Sequence, residues 1–191
     1  MTAKTLFGSL LTCLLGTLAC VAHAQTLPAS KQTKLGLYLT AEETLEFLTR
    51  TPEALMIDVR TEQEIDASGL AQGTDALIPI FVPDPSAQGT AMLNPDFLPG
   101  IANLALGQKL DPGHPIVIIC RSGNRSAQAA NALEQMGFTQ VYSVTDGYLG
   151  DRATSGPHKG ERRMNGWKTA GLPWEDRPAS SCEPARTGGA C

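Results

Sequence analysis

The stretch that decides the fold covers residues 115–126 and reads Pro115-Ile116-Val117-Ile118-Ile119-Cys120-Arg121-Ser122-Gly123-Asn124-Arg125-Ser126. Its four consecutive β-branched residues predict a strand buried on both faces, as in the centre of a parallel sheet. A helical pattern follows over 126–136, with Gly137 as its expected C′ residue. A strand, a turn and a helix in this order favour an α/β fold with a mostly parallel sheet.

Shorter patterns predict the remaining elements: a helix at 41–49, strands at 54–59, 77–82 and 141–144, a helical turn at 61–67, an irregular loop at 83–94 and interrupted helical content at 95–106. The helix at 41–49 begins with a capping box, in which Thr40 and Glu43 satisfy each other's backbone amides. Pro79 indicates that the strand at 77–82 lies at a sheet edge or contains a break. Trp167 is expected to seal the core.

The first residues have the pattern of a secretory signal peptide. Lys4 precedes an apolar run over 6–22, and Ala22-His23-Ala24 has the Ala-x-Ala form of a peptidase site. We therefore expect a signal peptide over 1–24, export to the periplasm and no stable membrane insertion after cleavage. One alternative is a membrane anchor, although the run is slightly short for a span of roughly 20 residues. The other is cleavage before a lipidated Cys20.

Composition narrows the classes of partner and function. The chain has 191 residues, and 15 Lys plus Arg against 19 Asp plus Glu give a formal net charge of −4. That length suits one domain with a real core. The acidic balance argues against nucleic-acid binding, which normally needs a basic excess. Two classes remain, a small soluble enzyme and a small binding module.

Cysteine and histidine positions bear on disulfides and metals. After residue 24 the chain keeps Cys120, Cys182 and Cys191, and thiols outside the cytoplasm tend to pair. We expect a Cys182–Cys191 disulfide, with two free tail thiols as the plain alternative. No metal site is expected, because His114 and His158 are isolated and no Cys/His pair has ligand spacing.

Cys120 stands where an anion is favoured. It ends the predicted central strand, and open α/β sheets bind ligands at the carboxyl ends of their strands. It also precedes the amino end of a helix, whose free amides and partial positive charge attract an anion. Arg121 and Arg125 add full charges, and Gly123 lets the backbone curl so that successive amides point inward. The pattern predicts a nucleophilic thiolate, against the plainer alternative of a buried small apolar side chain.

Over about 40–173 the sequence resembles the rhodanese-like family. The resemblance rests on four pieces: Ile57-Asp58-Val59-Arg60, the loop at 120–125 with its helix, Asp146-Gly147, and Gly166-Trp167 with Ala170-Gly171-Leu172-Pro173. It implies a central, mostly parallel sheet flanked by helices on both faces. The domain would cover 40–174, after a lead-in at 25–39 and before an irregular tail at 175–191.

The resemblance also implies an activity, that of a thiosulfate sulfurtransferase. Cys120 would take a sulfane sulfur from a small anionic donor and hold it as a persulfide, without a separate cofactor, until a periplasmic thiol or protein acceptor removes it. An anion-binding loop would hold the outer sulfur and attract the donor, and its members are Arg121, Ser122, Gly123, Asn124, Arg125 and Ser126. Asp58 and Arg60 would be supporting residues near the site.

Loop length separates this chemistry from a related one. The six residues at 120–125 are one fewer than in cell-cycle and arsenate-reductase types of phosphatase, and the smaller ring suits a single extra sulfur. A sulfur carrier or binding module without turnover remains the alternative, followed by a Cys-dependent phosphatase or arsenate reductase.

Two segments are longer than the family pattern. The stretch at 83–107 is expanded, and a basic stretch at 149–165 is inserted between Gly147 and Trp167. We interpret 149–165 as a solvated polar loop, because most exposed charges bind nothing specific; a lid or a partner surface are the alternatives. One tail cysteine could also resolve or accept sulfur from Cys120.

Overall fold

The computed structural model describes residues 27–176 of the 191. The strands are β1 (Tyr38–Leu39), β2 (Leu55–Asp58), β3 (Leu70–Ala71), β4 (Ala76–Leu77), β5 (Phe81–Pro83), β6 (Ala91–Leu93), β7 (Ile116–Ile119), β8 (Val141–Val144) and β9 (Trp174–Glu175). The helices are α1 (Ala41–Arg50), α2 (Glu62–Ser68), α3 (Phe97–Gln108) and α4 (Asn124–Gln135), preceded by a 3-10 turn at Ala29–Lys31.

Five strands form the central sheet in the order β1-β8-β7-β2-β4. All of its neighbouring pairs are parallel, and β7 lies in the middle. Every residue of β7 is buried, as its unbroken β-branched run predicts. The predicted α/β class and the central position of this strand are confirmed.

Helices cover both faces of the sheet. On one face Ile101 of α3 and Leu133 of α4 pack with Ile118 of β7. On the other, Ala41 of α1 and Trp167 pack with Val117. Successive strand residues point to opposite faces, so β7 contributes to both cores. Trp167 is fully buried, as predicted.

Local capping signals mark the starts of two helices. The Thr40 amide donates to Glu43 Oε2 at 2.7 Å and the Glu43 amide donates to Thr40 Oγ1 at 3.2 Å, so the predicted capping box of α1 is confirmed. A second capping box, between Thr61 and Glu64, starts α2. It places Glu64 one turn into a helix that faces the Cys120 loop.

Two local predictions need correction, whereas a third is confirmed in one of its alternatives. The strand expected at 77–82 divides into β4 and β5 with Pro79 in the gap between them, which is the break that this proline predicts. The loop expected at 83–94 contains β6, which forms an antiparallel hairpin with β5. Helix α3 runs unbroken through Pro99 and Gly100, because Pro99 lies in the first turn, where no amide has an intrahelical acceptor.

Both ends of the described segment are bound to the domain more closely than expected. In the predicted lead-in, Lys31 is buried and its Nζ lies 2.7 Å from Asp151 Oδ1. Tyr38–Leu39 is an edge strand of the sheet, and Trp174–Glu175 pairs with β3. These contacts join residues far apart in sequence, which a local pattern does not show.

Several predictions lie outside the described residues. They are the signal peptide over 1–24, the lipidation alternative at Cys20 and the Cys182–Cys191 disulfide, and all stay predictions. Between residues 27 and 176, no helix has the length and apolar character needed to span a bilayer. In the same part of the chain no group of three or more His, Cys, Asp or Glu side chains could hold a metal ion.

Candidate active site

Cys120 lies directly after β7, at the carboxyl end of the central strand. Cys120 is only 1% exposed, and its thiol forms no disulfide within residues 27–176. The Gly123 amide donates a hydrogen bond to Cys120 Sγ at 3.2 Å. Gly123 has a φ of 94°, and a Cβ there would collide with the Thr145 carbonyl. Glycine therefore permits the tight curl that turns a backbone N–H towards the sulfur.

The amides around Gly123 have no acceptor within residues 27–176. No hydrogen bond in that range uses the backbone N–H groups of Arg121, Ser122, Asn124, Arg125 or Ser126. Amides at the start of a helix lack intrahelical acceptors, and the helix dipole favours a negative charge beside them. Ser126 is fully buried and its hydroxyl also has no partner in the described structure. The loop can thus stabilise an anion at or just beyond the Cys120 sulfur.

A backbone segment supports the loop from behind. The Tyr148 amide donates to the Cys120 carbonyl at 2.7 Å, and the Leu149 amide donates to the Arg121 carbonyl at 2.9 Å. A Cβ at Gly147 would lie 2.6 Å from both the Cys120 carbonyl oxygen and the Ser122 nitrogen. Gly147 therefore belongs to the site, because any larger residue would displace the loop.

Arg125 is held by a carboxylate that the sequence analysis did not assign. Its Nη1 and Nη2 atoms lie 2.6 and 2.7 Å from the two Glu64 carboxylate oxygens. Burial raises the pKa of the Glu64 carboxyl. Hydrogen bonds and charge from Arg125, together with the Thr61 amide and the charge of Arg121, outweigh burial, so the pKa lies below its usual value. Burial lowers the pKa of Arg125, and Glu64 with Cys120 and Asp58 raises it above its usual value. The bidentate pair fixes the loop side chain to α2.

Asp58 and Arg60 form a second pair beneath the site. Both side chains are fully buried, and Arg60 Nη2 lies 2.7 Å from Asp58 Oδ2. Arg60 also donates to the Ser68 hydroxyl and the Gly69 carbonyl, and its guanidinium stacks 4.0 Å from the centre of the Tyr148 ring. The pair thus links β2, the end of α2 and the Tyr148 segment. Their assignment as supporting residues stays a prediction that this geometry favours.

The structure therefore brings the predicted loop, Asp58 and Arg60 into one region. It adds Glu64, Gly147 and Lys31, the last with its Cδ 3.1 Å from where a Gly123 Cβ would stand. The helical turn predicted at 61–67 included Glu64, but nothing local in the sequence indicated its pairing with Arg125, 61 residues away.

Comparison with known proteins identifies the family. A family model described as Rhodanese-like domain matches residues 40–153, which is more than half of the chain. The chain belongs to the rhodanese-like domain family. The match ends at residue 153, so most of 149–165 and Trp167 lie outside it.

Individual proteins are also similar to this chain in sequence or in structure. The uncharacterized protein RP600 of Rickettsia prowazekii is 29% identical over 122 residues, which cover 64% of this chain and 83% of the relative. The crystal structure of Rv0390 from M. tuberculosis is 27% identical, covering 73% of this chain and 97% of that one, with a TM-score of 0.57. The solution structure of the polysulfide-sulfur transferase homodimer of Wolinella succinogenes is 22% identical and shares the fold. The match covers 80% of this chain and 86% of that one, with a TM-score of 0.50.

Proposed function

We propose that this protein is a sulfurtransferase in which Cys120 carries a sulfane sulfur as a persulfide. The observation that carries the proposal is the loop geometry, in which the Gly123 amide already donates to Sγ and five neighbouring amides have no acceptor within residues 27–176. Membership of the rhodanese-like family and a fold shared with a polysulfide-sulfur transferase support it. Thiosulfate is the proposed donor.

The first step loads the cysteine. The Cys120 thiolate attacks the outer sulfur of thiosulfate and forms a new S–S bond. The bond between that sulfur and the sulfonate sulfur breaks, and sulfite leaves with its electron pair. The product is a Cys120 persulfide anion, and the total charge does not change. The negative end of the persulfide would lie among the loop amides, which are oriented before the reaction and act strongly in a buried site.

The second step returns the free thiolate. A nucleophilic acceptor, such as cyanide in an assay or a thiolate in the cell, attacks the outer sulfur of the persulfide. The S–S bond breaks and its electron pair returns to Cys120. Cyanide becomes thiocyanate, whereas a thiolate becomes a persulfide of the acceptor. No cofactor takes part in either step of this scheme.

The decisive experiment measures thiocyanate formation from thiosulfate and cyanide. Cys120→Ser should abolish it, because a hydroxyl cannot carry the sulfur under these conditions. Cys182→Ser is the matched control and should keep the wild-type rate. An unchanged rate in Cys120→Ser would contradict the proposal.

Two further measurements separate the alternatives. A carrier without turnover would take one sulfur from thiosulfate but form no thiocyanate over many cycles. A phosphatase would hydrolyse an aryl phosphate, and we expect no hydrolysis because the six-residue loop is too small for a tetrahedral oxyanion in the same position.

We also propose that the protein works in the periplasm after cleavage following Ala24. The apolar run and the Ala-x-Ala pattern support this location. Intact-mass analysis of exported protein would report the cleavage site, and retention of residues 1–24 in the exported form would contradict it. The acceptor there would be a thiol or a partner protein.

A further inference from the structure

The insertion at 149–165 is attached directly to the Cys120 loop. The Tyr148 amide donates to the Cys120 carbonyl, and the amide of Leu149, the first residue of the insertion, donates to the Arg121 carbonyl. The carbonyl of the following residue, Gly150, accepts a hydrogen bond from Arg162 Nη1. The guanidinium of Arg162 therefore lies beside the segment that supports the loop.

Backbone contacts fix the position of Arg162. Arg152 and Arg162 form an antiparallel β-bridge, and the Ala153 amide donates to the Glu161 carbonyl at 2.8 Å. At the base of the insertion the Asp151 amide donates to Asn165 Oδ1 at 2.8 Å. The interpretation of 149–165 as a solvated loop thus fails for Arg162, which is half-buried and held in place.

Arg162 and Arg121 differ from the other cations of the site in lacking a carboxylate. Within residues 27–176, the ion pairs near the loop join Lys31 to Asp151, Arg60 to Asp58 and Arg125 to Glu64. The Nε atoms of Arg121 and Arg162 are buried and have no hydrogen-bond partner in the same part of the chain. Neither guanidinium is therefore neutralised by a carboxylate of residues 27–176, and each keeps one N–H group without an acceptor there.

Arg162 and Arg121 contact neighbouring points of one backbone segment, because Arg162 donates to the Gly150 carbonyl and the Arg121 carbonyl accepts from the Leu149 amide. Burial lowers the pKa of Arg162, and the charges of Arg121 and Arg152 lower it further. Asp151 and Cys120 act in the opposite direction. Like charges held together at a half-buried position favour an anion that carries more than one negative charge.

We propose that Arg162 and Arg121 form an outer anion subsite that binds the oxygen end of a doubly charged sulfane donor. The inference rests on the proposed sulfur transfer and deepens it by naming the residue of this chain that would select a doubly charged donor. Thiosulfate fits, because its outer sulfur would face Cys120 while its three oxygens, which leave as sulfite, would face the two guanidinium groups. Arg162 is thus a specificity-determining residue supplied by the insertion.

The test compares two donors that differ in charge. Thiosulfate carries two negative charges and the methanethiosulfonate anion carries one, while both offer a sulfane sulfur. Arg162→Gln should raise the KM for thiosulfate on the order of tenfold, since it removes a charge-assisted hydrogen bond. The KM for methanethiosulfonate should change by less than about twofold, because the second charge is missing.

Arg163→Gln is the matched control. Arg163 is the next residue, and its Nε lies 2.8 Å from Glu161 in solvent, with the two side chains 66% and 50% exposed. It should leave both KM values unchanged. An equal KM change for both donors in Arg162→Gln, or no change for either, would overturn the subsite.

A second variant guards against loss of structure. Arg162→Gln also removes the hydrogen bond to the Gly150 carbonyl, so loosening of the insertion could itself affect both donors. Arg162→Lys keeps the charge, so its KM for thiosulfate should be close to that of the wild type. That KM should also rise with added KCl, as that of the wild type should. A lysine variant as poor as the glutamine variant would contradict an electrostatic role.

Failure of the sulfur-transfer proposal is distinguishable from failure of this one. If wild-type protein takes sulfur from neither donor, the activity is wrong, and the subsite is then measured with inorganic sulfate alone. Sulfate should slow alkylation of Cys120 by iodoacetamide, followed on the Cys120 peptide by mass spectrometry. Arg162→Gln should need about tenfold more sulfate for the same protection. Equal protection of the two proteins would overturn the subsite.

Discussion

Two pairs of arginines surround the Cys120 loop and differ in what lies opposite their charge. Arg60 and Arg125 each face a carboxylate, that of Asp58 and that of Glu64 respectively. Arg121 and Arg162 have no carboxylate within ion-pair distance among residues 27–176. Arg60 and Arg125, the inner pair, therefore hold the loop in shape. Arg121 and Arg162, the outer pair, keep their charge for a ligand. Charge near an active site thus has two separate uses, and its partners show which one applies.

The largest effect is expected at the fully buried inner pair. Arg60→Ala leaves the Asp58 carboxylate without its partner at a site with no solvent access. Removing one member of a buried pair typically costs about 3–5 kcal/mol, so the free energy of unfolding should fall by that amount in urea titrations. Arg121→Ala should cost less than about 1 kcal/mol, as is usual for a residue without such a partner. Equal losses in the two variants would remove the distinction between inner and outer arginines.

The second effect concerns Arg125, which we now place with the inner pair. Arg125→Ala should lower the free energy of unfolding by about 1–3 kcal/mol, because it breaks hydrogen bonds between charged groups. It should also lower kcat for thiosulfate, since the loop would no longer be fixed to α2, with only a small change in KM. A large rise in KM with unchanged stability would return Arg125 to the outer class.

The smallest expected effect is a pH dependence of stability that comes from the Glu64 carboxylate. The folded-state pKa of Glu64 lies below its usual value of 4.5. A group with a lowered folded pKa adds stability above its unfolded pKa, and loses it as pH falls through the folded pKa. Wild-type protein should therefore lose more stability than Glu64→Gln when the pH is lowered from neutral to below 4.5. Urea titrations at both pH values measure this difference, and parallel losses would show that Glu64 contributes nothing.

The buried carboxyl of Asp146 is the reason for comparing wild type with Glu64→Gln rather than measuring wild type alone. Burial raises the pKa of Asp146 in the folded protein, so its contribution to stability changes with pH in the opposite sense. Because Asp146 is present in both wild type and Glu64→Gln, its effect cancels in the difference between them.

The parts of the fold that local patterns encode were predictable. The run at 116–119 indicated the central strand, since only a strand buried on both faces suits four β-branched residues. The capping box of Thr40 and Glu43 located the start of α1. Cys120 and its glycine-containing loop were predicted because strand, turn and helix are adjacent in sequence.

The pairings that complete the site were not predictable from such patterns. Arg125 and Glu64 are 61 residues apart, and Lys31 and Asp151 are 120 apart. Residue spacing specifies neighbours along one helix or strand, but it does not specify which side chains meet when separate elements pack. The basic composition of 149–165 was visible, but it did not show that Arg162 would donate to the Gly150 carbonyl, next to the segment that supports the loop.

Peptide mass analysis after incubation with thiosulfate measures whether Cys120 carries sulfur in the amide loop. We expect a gain of about 32 Da, the mass of one sulfur atom, on the peptide that contains Cys120. The gain should disappear on addition of cyanide and be absent in Cys120→Ser. A Cys120 peptide that stays unmodified, or a gain found only on peptides containing Cys182 or Cys191, would contradict it.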